Sequence, residues 1–205
     1  MKRFLLFLFA VLTGLTSFAT DYKLVTDVSQ LEVGAKYIVV AEYNSTTYAM
    51  GAKTGSNNYR DVIKVSAANN GIISISNEAV SPITLENGTG NTNYPYLLKD
   101  GELGYLYPNS SSSNNMGLTT ESNDYAKTSI SINADSYQAS ITFNRSKSGG
   151  DNFQLRYNNN NNKPRFSCYN STSTTIFDGY LYKEIPDTKV YFNNSKTACD
   201  FALRT

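Results

Sequence analysis

Five side chains in this sequence have the chemistry to grip a polar ligand: Tyr59, Arg60, Tyr157, Arg165 and Tyr169. A phenol ring offers an apolar face with a hydroxyl at its edge, and a guanidinium offers a rigid fork of donors, so together they suit a polyhydroxylated molecule. The run Asn158 to Asn162, followed by Lys163-Pro164, adds planar amides that both donate and accept. Asparagine also tolerates left-handed turns, so the same run reads equally well as an exposed hairpin tip.

Covalent and acid–base chemistry has much less to work with. The chain contains 17 acidic residues but no histidine, which removes the commonest general base near neutral pH and the commonest metal ligand. Among the carboxylates, Asp100 and Glu102 sit at an expected turn, where solvent exposure is the ordinary reading, and Glu86 ends an expected strand. No Gly-x-Ser-x-Gly elbow occurs, and Ser146-Lys147-Ser148-Gly149-Gly150 lacks the glycine spacing of a phosphate loop. No catalytic residue, metal site or cofactor is therefore expected. The two cysteines, Cys168 and Cys199, are either a disulfide or two separate thiols. A bridge would close a long loop and contribute roughly 3 kcal/mol.

The N-terminus sets the compartment. Met1-Lys2-Arg3 is followed by an apolar run from Phe4 to Leu12, then by small and polar residues ending in Ser17-Phe18-Ala19. That order predicts a secretory signal peptide over residues 1–19, cleaved after Ala19, rather than a membrane anchor, because a bilayer span needs roughly 20 apolar residues and this run is shorter. The expected location is secreted, periplasmic or cell-surface, with no transmembrane segment once the leader is gone. Net charge is +1 for the whole chain, and loss of Lys2 and Arg3 takes it to −1. Such a balance gives no field to attract nucleic acid.

Positioning these side chains falls to β structure. Sixteen Tyr and ten Phe supply β-forming bulk, and short β-branched and aromatic runs recur between clusters of Asn, Gly, Ser and Asp. Strands are predicted at 36–41, 47–51, 62–65, 71–76, 82–86, 96–99, 104–107, 128–133, 138–144, 153–157, 165–169 and 179–184. Tyr22 to Val25 reads as a leading strand, and 189–192 as a short one in the tail. Asn70-Gly71 and Asp100-Gly101 accept the positive φ angles of tight turns. Three strands, YIVV from Tyr37, YLLK from Tyr96 and FQLR from Phe153, open hairpins at nearly equal intervals. Their answering strands start at Tyr48, Tyr105 and Arg165, and closing strands start at Pro82, Ser140 and Tyr180. Three such units predict an all-β fold, a β-trefoil-like closed barrel over residues 20–185. A Greek-key barrel or a β-sandwich is the alternative. Residues 186–205 read as a tail or the start of a truncated second module.

An ordered set of short motifs carries a resemblance. Tyr22-x-Leu24-Val25, Gly34-x-x-Tyr37-Ile38-Val39-Val40, Tyr48-Ala49-Met50, Asn58-Tyr59-Arg60, Pro82-Ile83-x-Leu85-Glu86, Leu155-x-Tyr157-Asn158, Arg165-Phe166-x-x-Tyr169 and Leu181-Tyr182-Lys183 follow one another. In that order they resemble a β-rich module of unknown function in exported Bacteroidota proteins. The resemblance implies an envelope or secreted setting and no established activity. Carbohydrate binding is the leading specific expectation for this non-catalytic chain. Its rival is a structural or protein-interaction module with an envelope protein as partner.

Overall fold

The computed structural model describes residues 19–53, 58–186, 191–192 and 201–202. The expected leader, apart from Ala19, therefore lies outside the described residues, as does most of the tail and Cys199. Six strands come first: β1 (Thr20–Leu24), β2 (Lys36–Tyr43), β3 (Thr46–Met50), β4 (Val62–Val65), β5 (Ile72–Ile75) and β6 (Ile83–Asn87). The middle holds β7 (Tyr96–Lys99), β8 (Tyr105–Pro108), β9 (Met116–Thr119), β10 (Lys127–Ile132) and β11 (Ala139–Ser146). The last third adds β12 (Asn152–Asn158), β13 (Arg165–Tyr169), β14 (Ile176–Asp178) and β15 (Tyr180–Glu184). A separate pair, β16 (Tyr191–Phe192) and β17 (Phe201–Ala202), follows.

The fold is all-β, as the sequence predicts. All fifteen strands from β1 to β15 join one antiparallel sheet, and the recorded path runs β13-β12-β11-β10-β7-β6-β2-β15-β1-β5, open at both ends. The three expected hairpins, β2 with β3, β7 with β8 and β12 with β13, all form. Two features bear on the expected closed ring. β14 pairs with β12, whereas β15, which resumes after Gly179, pairs with β2. Gly179 itself bridges to Ala139 at the start of β11.

Side-chain alternation explains where the core sits. On β6, β11 and β12 every second residue is a buried hydrophobic one: Ile83 and Leu85, Ala139, Ile141 and Phe143, then Phe153, Leu155 and Tyr157, with the polar Arg156 and Asn158 of β12 buried on the other face. These join Tyr37, Val39 and Ala41 of β2 in the main core. The intervening Ile38 and Val40 instead pack with Tyr22, Ala49, Ile73 and Tyr182 in a second cluster. The unbroken apolar run of β2 thus serves two cores, one on each face. Each large side chain so buried contributes about 1.5–3 kcal/mol.

Turn chemistry is local and well encoded. Asn70 and Gly71 take φ of 51° and 75°, and Asn69 and Ile72 exchange hydrogen bonds of 2.9 and 3.0 Å across them. Asp100 departs from its exposed reading. The chain turns there, with Gly101 at φ 49°, but the Asp100 side chain is 3% exposed.

Candidate functional site

Three stretches far apart in sequence meet around one cavity of about 520 Å³. One wall is Asn58, Tyr59, Asn114 and Asn115; the other is Asn158, Asn160, Arg165, Ser167, Tyr169 and Ile176. Backbone pairing joins the two. Arg60 N–H donates to the Phe166 carbonyl at 2.8 Å, and Phe166 N–H donates back to Arg60 at 3.0 Å. Ser167 Oγ lies 2.7 Å from the Asn114 carbonyl and 3.2 Å from the Asn58 carbonyl, so it tethers the first wall to β13.

The β12–β13 hairpin decides which side chains reach the cavity. Directly opposed residues of an antiparallel pair share a face, and neighbours along a strand do not. Asn158 stands opposite Arg165, Arg156 opposite Ser167 and Gln154 opposite Tyr169; Tyr157 stands opposite Phe166. Arg165, Ser167, Tyr169 and Asn158 therefore look into the cavity, while Tyr157, Phe166 and Cys168 look into the core. The same alternation splits Tyr59, which lines the cavity, from Arg60, which turns away from it.

Of the five expected ligand residues, the structure brings together Tyr59, Arg165 and Tyr169. The other two are placed elsewhere. Arg60 is 1% exposed; its Nη1 donates to Asp100 Oδ2 at 2.6 Å, its Nη2 to Ser81 Oγ at 2.9 Å and its Nε to the Gly51 carbonyl at 2.9 Å. Ser81 Oγ in turn donates to Asp100 Oδ1 at 2.6 Å. Such a satisfied buried network leaves the guanidinium nothing to offer a ligand, so Arg60 clamps the first and second hairpin units together instead. Tyr157 is fully buried among Tyr43, Tyr48, Phe166 and Phe177, with ring centroids 5.3–6.0 Å away. Its hydroxyl finds no hydrogen-bond partner among the described residues, and burial pushes its pKa up to about 12.

Inside the cavity the polar groups are wired to one another. Tyr169 Oη accepts from Asn158 Nδ2 at 2.7 Å and from Arg165 Nε at 3.0 Å. Asn158 Oδ1 accepts the Asn160 N–H at 2.6 Å, which ties the Asn-rich run to the site. Asn161 and Asn162, further along, take left-handed φ of 58° and 54° and form the hairpin tip. On the same face of the sheet Arg156 Nη1 holds the Tyr169 carbonyl at 3.1 Å and Nε meets Asp178 at 2.7 Å, fixing the strand that carries the tyrosine. Arg165 Cζ lies 5.9 Å from the Tyr59 ring centroid, so cation and ring face each other across the cavity.

Sequence reasoning missed Asn58, Asn114, Asn115 and Ser167 as lining groups. Hairpin parity would have found Ser167, two residues from Arg165 on the same strand; Asn114 and Asn115 come from a loop with no signal beyond composition. Cys168 is fully buried and has no disulfide partner among the described residues, and burial raises its thiol pKa well above the usual value. Cys199, the partner in one of the two readings of the cysteines, lies outside the described residues. Among the described residues, no cluster of three or more His, Cys, Asp or Glu is placed to hold a metal ion, and no helix is long and apolar enough to cross a membrane. No protein-family profile, curated protein or solved structure matches the chain.

Proposed function

We propose that this chain is an exported, non-catalytic glycan-binding module, and that the cavity between Tyr59 and the β12–β13 hairpin is its site. The observation that carries the reading is the lining itself: amides, hydroxyls, an aromatic ring and one guanidinium, gathered in a cleft of about 520 Å³. That volume falls within the roughly 300–1,000 Å³ of small-ligand clefts. Planar amides and hydroxyls match the alternating donors and acceptors of a sugar, and the Tyr59 ring offers its apolar face a platform. The absence of acidic pairs in the lining gives hydrolysis no acid or base to use.

We read the scaffold as a trefoil-like ring. The strand that begins as β14 on β12 continues through Gly179 as β15 on β2, which supports closure by one bent strand shared between both ends of the barrel. A second reading has its own support. Among the described residues β4 pairs only with β3 and β5 only with β1, and a groove of about 490 Å³ runs between these two edges, a place where a partner's extended segment could add as a strand.

Retention of the purified protein on immobilised polysaccharides tests the glycan reading. Tyr59→Ala is expected to abolish retention with an unchanged circular dichroism spectrum. Tyr157→Phe is expected to keep retention and to melt roughly 2–4 °C higher, because it removes an unsatisfied buried hydroxyl. Failure to bind any glycan, with an envelope protein captured through the β4–β5 groove instead, would transfer the proposal to the second reading.

A further inference from the structure

The hydrogen bonds within the cavity leave it with a surplus of donors. Tyr169 is 4% exposed and its Oη already accepts from both Asn158 and Arg165, so the hydroxyl's own proton remains to be donated, and no acceptor for it is recorded among the described residues. Arg165 spends only Nε on that bond; among the described residues its two terminal nitrogens have no recorded acceptor. Ser167, by contrast, is already committed to the Asn58 and Asn114 carbonyls. Among the described residues the lining includes no Asp or Glu, and the nearby carboxylate of Asp178 is held by Arg156 at 2.7 Å.

A forked cation and a phenolic proton on one wall, with no negative charge to answer them, favour an oxyanion. A guanidinium receives one with two parallel hydrogen bonds, which a neutral hydroxyl cannot match. We infer that the cavity selects an acidic sugar, whose anionic oxygens are received by the Arg165 terminal nitrogens and the Tyr169 hydroxyl. This rests on the glycan reading and narrows it from sugars at large to those bearing a carboxylate or a sulfate ester.

Binding of the purified protein to three polymers separates the possibilities: polygalacturonate, the same polymer with its carboxyl groups reduced to neutral hydroxymethyl groups, and a sulfated galactan. The expected result is tighter binding to one or both acidic polymers than to the reduced one, by roughly tenfold to a hundredfold, the worth of hydrogen bonds to a charged group. Preference for the uronate or for the sulfate tells the two sources of the oxyanion apart. Arg165→Gln is expected to erase the preference, lowering affinity for the acidic polymers roughly tenfold or more beyond whatever it costs on the reduced polymer. Lys163→Gln, an exposed cation outside the cavity lining, is expected to keep the preference. Equal affinity for reduced and acidic polymers overturns the inference and leaves the glycan reading standing. An equal loss in the Lys163 and Arg165 variants also overturns it, since that is unspecific charge attraction. Binding to none of the three, nor to any other glycan, removes both.

Discussion

Adjacent residues in this chain have opposite fates, and Tyr59-Arg60 shows how far apart those fates are. Tyr59 lines the cavity, whereas Arg60 is sealed against Asp100, Ser81 and the Gly51 carbonyl. Taking one partner out of a buried ion pair strands the other charge in a low-dielectric interior, at a cost of about 3–5 kcal/mol. Arg60→Met is therefore expected to lower the unfolding free energy measured in urea by that much, and adding Asp100→Asn to return part of the loss by removing the stranded charge. A midpoint within experimental error of the parent would show that the clamp contributes nothing. Read as single residues, Arg60 and Tyr157 looked like ligand groups because type alone cannot reveal facing. Pairing YLLK-like strands into hairpins supplies the facing: opposite Phe166, Tyr157 must share its side of the sheet, and opposite Arg165 the residue is Asn158.

At the scale of elements, the strands were largely legible because each carries its own alternation of apolar residues. β4, β7 and β13 fall at 62–65, 96–99 and 165–169, as predicted. β9 was hidden because Gly117 and the polar run before Met116 interrupt its pattern, and β14 because three residues are too few to show one. Turns were legible where Asn-Gly occurs; the Asn44-Ser45 turn of the first hairpin, at φ 49° and 58°, relies on residues with weaker signatures. Partners were less so. Asn70-Gly71 turns the chain tightly, yet β4 leaves for β3 and β5 for β1, a choice made by distant packing rather than by the turn. Gly179 shows what such packing demands of one position. A Cβ there would lie 2.5 Å from the Val40 carbonyl oxygen, so the backbones of β15 and β2 would have to part. Gly179→Ala is expected to cost about 1–3 kcal/mol in chemical denaturation and to speed amide exchange at Ala139, whose N–H donates to the Gly179 carbonyl at 2.8 Å. Unchanged exchange at Ala139 would mean the bend between β14 and β15 has room to spare.

Across the whole molecule, stability rests on tyrosines that must stay protonated. Burial, with the Glu184 charge adding to it, pushes Tyr22 up to about 12; burial does the same for Tyr157 and Tyr182, with smaller contributions from Tyr48 and Tyr43 and from Glu42 and Tyr180. In the unfolded chain these groups ionise near pH 10, so above that pH the unfolded state gives up protons that the folded state keeps. Stability is complete below about pH 10 and drains away toward pH 12, each residue removing up to roughly 2–3 kcal/mol. Urea midpoints measured from pH 9 to pH 12 are expected to fall steeply in that window, and less steeply in Tyr157→Phe. A flat profile would show that these phenols reach solvent in the native protein.

The Asn58–Ser167 contact joins parts of the chain 109 residues apart, and the cavity exists only where they meet. A ribosome that has released Asn115 has supplied one wall of the cavity, and the other wall, from Asn158 onward, is still to come. Competence thus arrives late in synthesis, once β13 has docked on the segment around Arg60. A ligand that occupied the finished cavity would act as a lock on the entire chain, adding RT ln(1 + [L]/Kd) to the free energy of unfolding, so occupancy would shield this protein from proteases even at peptide bonds remote from the cavity.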